Sequence, residues 1–300
     1  MTNFLKSAIW GGWEYVAKLA GRSYVAGSEL SDAMKVYQRF ARRNLTGIVC
    51  YWNGDDDQPS QVAGKYLEAL DALAGQGDDC YLAIKAPALR FSRELTAQIV
   101  TGARTAGVRV HFDSHSAEEA DQTLALVKEA VSRWPQIGCS LPGRWRRSLD
   151  DADRLCEMGV IPRVVKGQWE DPDHPEIDLR EGFLEVIDRL AGRARHVAVA
   201  SHDVPLARES VHRLRKAGTS CELELLFGLP MRDALIMAEE EGLATRLYVP
   251  YGDAWFPYCL SQMRKNPRML KWVIQNLIFG HYWSFLDTVR VHQVSHRGKS

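Results

Sequence analysis

Charged side chains set inside apolar runs are the residues of this sequence best suited to chemistry. Lys85 closes the run that begins at Cys80, and Arg163 and Lys166 lie within the run 160–166. A buried charge without a partner is expensive, so each cation needs an acid or an anionic ligand. Asp113 and Glu224 fall in comparable runs, with Glu222 two residues before Glu224. Simple internal ion pairing is therefore one reading. A second chemistry is suggested by His111-Phe112-Asp113-Ser114-His115. Alternate residues of an extended chain share a face, which would set His111, Asp113 and His115 on one side. That spacing suits a metal-dependent hydrolase, with His202 as the ligand from another strand. Asp55, Arg144, Gln168, Trp169, Ser201, His202, Asp203, Tyr248 and Tyr251 also stand at or just beyond the ends of apolar runs.

The elements that would position these residues alternate along the chain. Eight short runs rich in Val, Ile, Leu or Tyr read as strands: 47–52, 80–85, 108–113, 137–141, 160–166, 196–201, 221–227 and 246–249. Their starts recur every 23 to 36 residues. Between them, 68–73, 94–106, 117–131, 148–157, 179–190, 205–215 and 231–241 carry apolar residues at helical spacing. Ser116 and Asp203 are expected N-caps. Gly102, Gly107, Gly159, Gly218 and Gly242 are expected near helix ends. Strand–helix alternation implies parallel strands, because each return crossing needs a helix. Eight repeats fit an α/β protein of the (βα)8 TIM-type barrel class, whose chemistry sits at the C-terminal ends of the strands. An open doubly wound sheet would want a glycine-rich phosphate loop after its first strand. Here that position reads Asn53-Gly54-Asp55-Asp56-Asp57, and its three acids would repel a pyrophosphate.

Composition narrows the classes. The 300 residues carry 38 Lys+Arg against 38 Asp+Glu, so no overall basic field draws nucleic acid or an anionic membrane. A hydrophobic share of 46% with 25% charged residues is that of a globular chain. No apolar run is long enough for a transmembrane helix. Cys50, Cys80, Cys139, Cys156, Cys221 and Cys259 are scattered without a Cys-x-x-Cys pair, which reads as reduced thiols in a cytoplasmic protein. Residues 1–22 form an expected N-terminal amphipathic helix, interrupted by Lys6, Glu14 and Lys18 and so unlike a signal peptide. Trp10 and Trp13 on its apolar side would suit peripheral contact with a membrane surface. The barrel is expected over 23–286, with an eighth helix near 255–263 packed over the C-terminal face, another from Met269, and a polar tail over 287–300.

Five motifs in order resemble the proline dehydrogenases. Arg163-Val164-Val165-Lys166-Gly167-Gln168-Trp169 is similar to that family's Arg-x-Val-Lys-Gly-Ala-Tyr. Ala200-Ser201-His202-Asp203 resembles its Ala-Thr-His-Asp/Asn, and Glu222-Leu223-Glu224-Leu225-Leu226-Phe227-Gly228 its Glu-Phe-Gln-x-Leu-x-Gly. Tyr248-Val249-Pro250-Tyr251-Gly252 and Trp255-Phe256-Pro257-Tyr258 resemble its strand-eight signature, with Lys85 and Asp113 in register. The resemblance runs from about Tyr24 to Gly280. It implies a barrel that holds FAD noncovalently over the strand ends. Such enzymes move a hydride from the carbon beside a ring nitrogen to flavin N5, then pass electrons to a quinone. By the same resemblance, Arg163 would stand on the N5 side. Lys166, Gly167, Trp169, Ser201, His202 and Glu224 would line the cofactor. Lys85, Asp113 and Tyr248, with Arg163, would form the catalytic set, and Tyr258 would border the substrate. The guanidinium stays protonated, so it can stabilise negative charge on a reduced flavin.

The departures from the family pattern bear on the substrate. The family's eighth helix carries Arg-Arg-x-x-Glu/Asp, whose arginines grip the substrate carboxylate. In register stand Ser261 and Gln262, with Lys265 at the acid position. Pro142 replaces the usual strand-four Gln, and Glu224 the strand-seven Gln. Hydrogen bonds to charged groups are worth about 1.5–3 kcal/mol each, so losing a forked pair would greatly weaken binding of a free amino acid. Lys265 or Arg264 would restore charge but not the fork. The expected substrate is therefore a small amine or imino-acid-like molecule other than ordinary free L-proline. The alternatives are a barrel that has lost the oxidation and serves in binding or regulation, and the metal-dependent hydrolase. The acidic, proline-bearing loop 170–176 is expected to be a solubilising loop, with a lid as its alternative.

Overall fold

The computed structural model describes residues 26–43, 45–54, 56–76 and 80–252. The expected helix over 1–22, the helices from 255 onward and the tail over 287–300 lie outside the described residues. Within them the order is α1 (Leu30–Ala41), β1 (Thr46–Tyr51), α2 (Pro59–Leu73), β2 (Tyr81–Ile84), α3 (Arg93–Ala106), β3 (Arg109–Phe112), α4 (Ala120–Arg133) and β4 (Ile137–Pro142). It continues with α5 (Ser148–Met158), β5 (Ile161–Val165), α6 (Leu179–Leu190), β6 (His196–Ala200), α7 (Val204–Lys216), β7 (Ser220–Leu226), α8 (Arg232–Glu240) and β8 (Thr245–Tyr251). A short 3-10 turn at Pro87–Leu89 follows β2.

The eight strands pair in sequence order, each parallel to the next, and β1 closes on β8 to complete a barrel. Each strand is short and buried on both faces, which is why it reads as an apolar run rather than an alternating one. Alternation nevertheless sorts the side chains. On β7, Leu223 and Leu225 face the helices while Glu222 and Glu224 point into the ring; on β8, Leu247 and Val249 face out and Arg246 and Tyr248 in. The core between strands and helices is continuous and aliphatic, built on residues such as Val49, Leu82, Phe112, Val164 and Leu223. The ring interior is different. Ile48, Cys50, Tyr81 and Ala83 form a small apolar cluster there, and much of the rest is hydrogen-bonded polar groups.

Helix ends mostly follow the expected chemistry. Asp203 caps α7 by accepting from the Leu206 N–H at 3.2 Å. Gly107 and Gly159 terminate α3 and α5 in the left-handed region, each with φ 69°. Three expectations need correction. The helix α2 starts at Pro59, not near 68, because Pro59 opens it and Gln58 and Gln61 form a capping box. Ser116 does not cap α4, which starts at Ala120; its N–H and hydroxyl serve the Glu119 carboxylate instead. Gly102 lies inside α3, where a Cβ would come within 3.1 Å of Leu67 on α2. The helix α1 was not expected, although Ala33, Val36, Tyr37 and Phe40 carry its buried stripe. It packs on β1 and β8, with Tyr37 over Gly47, where a Cβ would overlap the ring, and Phe40 edge-on to Phe227 at 5.8 Å.

Candidate functional site

The C-terminal ends of the strands open into a cavity of about 740 Å³. Each strand delivers residues to it by position. Lys85, Asp113 and Lys166 are the first residues beyond β2, β3 and β5, Ser201 the first beyond β6, and Glu224 and Tyr248 are inward residues of β7 and β8. Backbone bonds fix these exits: the Asp113 N–H donates to the Ile84 carbonyl at 2.9 Å, and the Lys85 N–H to the Tyr66 hydroxyl at 3.1 Å.

Arg163 forms the floor. Its Nε and Nη2 donate to Ser140 Oγ at 3.0 and 2.8 Å, Nη1 donates to Glu224 Oε2 at 3.3 Å, and Nη2 also meets Asp113. Burial works against its charge, but Asp113 and Glu224 outweigh it and hold the guanidinium protonated. Tyr248 donates to the other Asp113 oxygen at 2.6 Å and lies 5.4 Å from the Arg163 guanidinium. Burial first, then the Asp113 charge, pushes the Tyr248 phenol well above its ordinary range. Glu224 accepts from the Tyr81 hydroxyl, and burial raises its carboxyl against the pull of Arg163. Ser140 accepts twice from Arg163, so its own proton goes to His111 Nε2 at 3.1 Å. His111 is accordingly neutral, its pKa held well below normal by burial and by Arg163.

The rim is tied by further pairs. Lys166 Nζ lies 2.9 Å from Asp203. His202 donates from Nδ1 to the Pro230 carbonyl and accepts the Leu226 N–H at Nε2, both at 2.9 Å, so its ring clasps the β6 exit to the β7 exit. Trp169 stacks on His115 with ring centroids 4.3 Å apart. The turn that carries it is pinned to the β4 exit: Trp145 Nε1 donates to the Trp169 carbonyl at 3.0 Å, and Arg144 to the Gln168 carbonyl at 3.3 Å. Loop 170–176 proves anchored rather than wholly exposed. Asp171 is buried and its carboxylate accepts from the N–H groups of Arg146, Asp173 and His174.

No family model matches the chain. Individual proteins do. It is 25% identical to Proline dehydrogenase 1 of Bacillus subtilis subsp. natto, over 88% of this chain and 92% of that protein. It is 22% identical to Proline dehydrogenase of Deinococcus radiodurans, over 86% of this chain and 89% of that one. The chain is thus similar to curated proline dehydrogenases along most of its length and of theirs. Solved structures agree on the fold. Proline utilization A from Bdellovibrio bacteriovorus, inactivated by N-propargylglycine, superposes with a TM-score of 0.71 at 16% identity, over 94% of this chain. A Bradyrhizobium japonicum Proline Utilization A mutant gives 0.64 at 16% identity over 82%. This chain spans only 35% and 30% of those two longer proteins.

In this proline dehydrogenase relative, the expected site residues Lys85, Asp113, Arg163, Lys166, Gly167, Trp169, Ser201, His202, Glu224 and Tyr248 all line the one cavity. Tyr258, Ser261, Gln262 and Lys265 lie outside the described residues, as does Asp55. The internal-pairing reading holds for Arg163 and Lys166 but not for Lys85, whose ammonium faces the Trp52 ring at 5.1 Å with no acid partner among the described residues. The three candidate ligands on and after β3 do not converge. His111 is inside the ring on Ser140, Asp113 at its mouth on Arg163, and His115 out on a loop against Glu119. No group of three or more His, Cys, Asp or Glu among the described residues is placed to hold a metal. Ser140, Tyr81 and Trp52 escaped the sequence reading. A serine or tyrosine within an apolar strand carries no signal of what lies across the ring.

Proposed function

We propose that this chain is a flavin-dependent oxidoreductase of the proline dehydrogenase type, acting on the CH–NH bond of a proline-like cyclic or secondary amine. The observation that carries the reading is a curated relative, Proline dehydrogenase 1, matched over 88% of the chain. The cavity suits the cofactor: about 740 Å³ lies within the ~300–1,000 Å³ usual for small-molecule sites. Its lining joins flat aromatic faces to cations, a donor set fitting a tricyclic ring that carries phosphates. FAD, when bound, supplies the hydride acceptor. Lys166, Gly167, Trp169 and Ser201 would hold it at the rim. His202 would contact it through ring atoms only, since both nitrogens are engaged. Arg163, held by two acids, would present a fixed guanidinium donor beneath the ring, and Asp113 and Tyr248 would orient the amine.

The substrate is proline-like but lacks a free carboxylate. Arg163, Lys166 and Arg144 already have carboxylate partners, which leaves Lys85 as the cavity cation without one among the described residues. Ser261 and Gln262 supply no fork where the family resemblance expects arginines. A quinone accepts the electrons, and residues 23–286 form the working barrel.

The test is the spectrum of purified protein supplied with FAD, followed by anaerobic addition of L-proline, prolinamide and N-alkyl glycine amides. A yellow protein bleached by the neutral amines is expected. Bleaching by sub-millimolar L-proline at equal or greater rate would overturn the substrate clause, and a colourless protein the flavin reading itself.

A further inference from the structure

Behind the Arg163 floor the ring interior holds a second acid whose surroundings are more elaborate than ion pairing requires. Glu224 is 3% exposed and lines the cavity. One oxygen faces Arg163 Nη1 at 3.3 Å, and the other accepts the Tyr81 hydroxyl. Tyr81 is itself fixed: the guanidinium groups of Arg109 and Arg246 each lie 4.8 Å from its ring centre. His111 stands 5.7 Å from the same ring. Asp113 already pairs with Arg163 through Nη2, so one guanidinium is shared by two carboxylates. An amide at 224 would keep the shape and leave Arg163 with Asp113 as its carboxylate partner, a balanced pair. A carboxylate there does not leave that balance.

We propose that Glu224, held by Tyr81, is a positioning residue that sets the charge beneath the cofactor. By adding a second negative charge beside the Arg163–Asp113 pair it lowers the tendency of the bound flavin to take up electrons. The inference rests on the flavin reading above. The physical basis is that added electrons are negative charge, stabilised by a nearby cation and destabilised by a nearby anion, and both effects are strengthened where water is excluded. Burial already disfavours the charged form of Glu224. Its placement between Arg163 and a clamped phenol opposes that tendency by favouring the carboxylate.

The test is the midpoint potential of the flavin in the purified, FAD-loaded full chain, titrated against a reference dye. Glu224→Gln removes the charge and keeps the size. At a fixed ambient potential it is expected to raise the ratio of reduced to oxidised flavin about tenfold, or about 30 mV for two electrons. Glu224→Asp keeps the charge and is expected to stay within about threefold of the unsubstituted protein. A merely structural role for Glu224 would lower thermal stability in both variants without this split. Should Glu224→Gln not fold, Tyr81→Phe gives a second reading. Losing the phenol favours the protonated carboxyl, so the potential rises more at mildly acidic than at alkaline pH. The other groups facing Glu224 are Arg163, Arg246 and Glu222, whose charges that substitution leaves in place. Yellow protein with equal potentials in all variants would overturn this inference alone. Colourless protein throughout would overturn it together with the flavin reading.

Discussion

Arg246 is among the largest fully buried side chains, and it is tolerated because Glu222 receives it twice, from Nε at 3.1 Å and Nη2 at 2.8 Å. Burial alone would raise the Glu222 carboxyl. Arg246, with His196 and Arg109 beside it, outweighs burial and holds it well below the usual carboxylate range. A depressed carboxyl contributes stability above its unfolded pKa of ~4.3, and that contribution is lost as pH falls through the folded value. Glu222→Gln takes a buried carboxylate charge from the Arg246 guanidinium and is expected to cost about 3–5 kcal/mol at neutral pH. The difference from the unsubstituted protein should shrink as pH falls below ~4. Urea unfolding across that range reads it, and a pH-independent difference would reject the account. Thiols give a second check at this scale. Burial pushes Cys50 and Cys139 up to about 12, so neither should react with a thiol reagent in the folded protein near neutral pH.

Among the elements, α6 approaches the β4 exit more closely than a side chain allows. A Cβ on Gly182 would collide with the Gly143 carbonyl, and one on Gly143 would come within 2.6 Å of Phe183 Cα. That backbone contact cannot give as a side chain would. Gly182→Ala is therefore expected to destabilise by about 1–3 kcal/mol. It should also loosen the turn bearing Trp169, because Arg144 and Trp145 anchor that turn from the same exit. A thermal melt together with tryptophan emission reads both effects. Gly102→Ala is the contrast: its nearest neighbour is the Leu67 methyl at 3.1 Å, at the flexible end of a side chain. Replacing a mid-helix glycine there gains up to ~1 kcal/mol of propensity, so little net loss is expected. A Gly102→Ala loss as large as that of Gly182→Ala would contradict the distinction between rigid and yielding neighbours.

At the scale of the molecule, ring closure gives every strand two partners and leaves no edge. The central amides of β1 and β8 should exchange hydrogen as slowly as those of β4 and β5, through one cooperative opening. Faster exchange confined to the β1–β8 seam would mean that the ring opens there. The period of strand and helix, and hence the parallel barrel, was legible in the chain because every strand is an apolar run bounded by helical spacing. Which residues stand at the strand ends followed from the same period, since position along a strand decides which end a residue occupies. Partnership did not follow. Ser140, Asp113, Arg163 and Glu224 come from four strands, and Tyr81 from a fifth. Nothing local in any of them says that one guanidinium will be shared by two acids, or that His202 will spend both nitrogens on backbone. Closure of the ring decides those contacts, because it brings inward side chains across a shared interior irrespective of their separation in sequence.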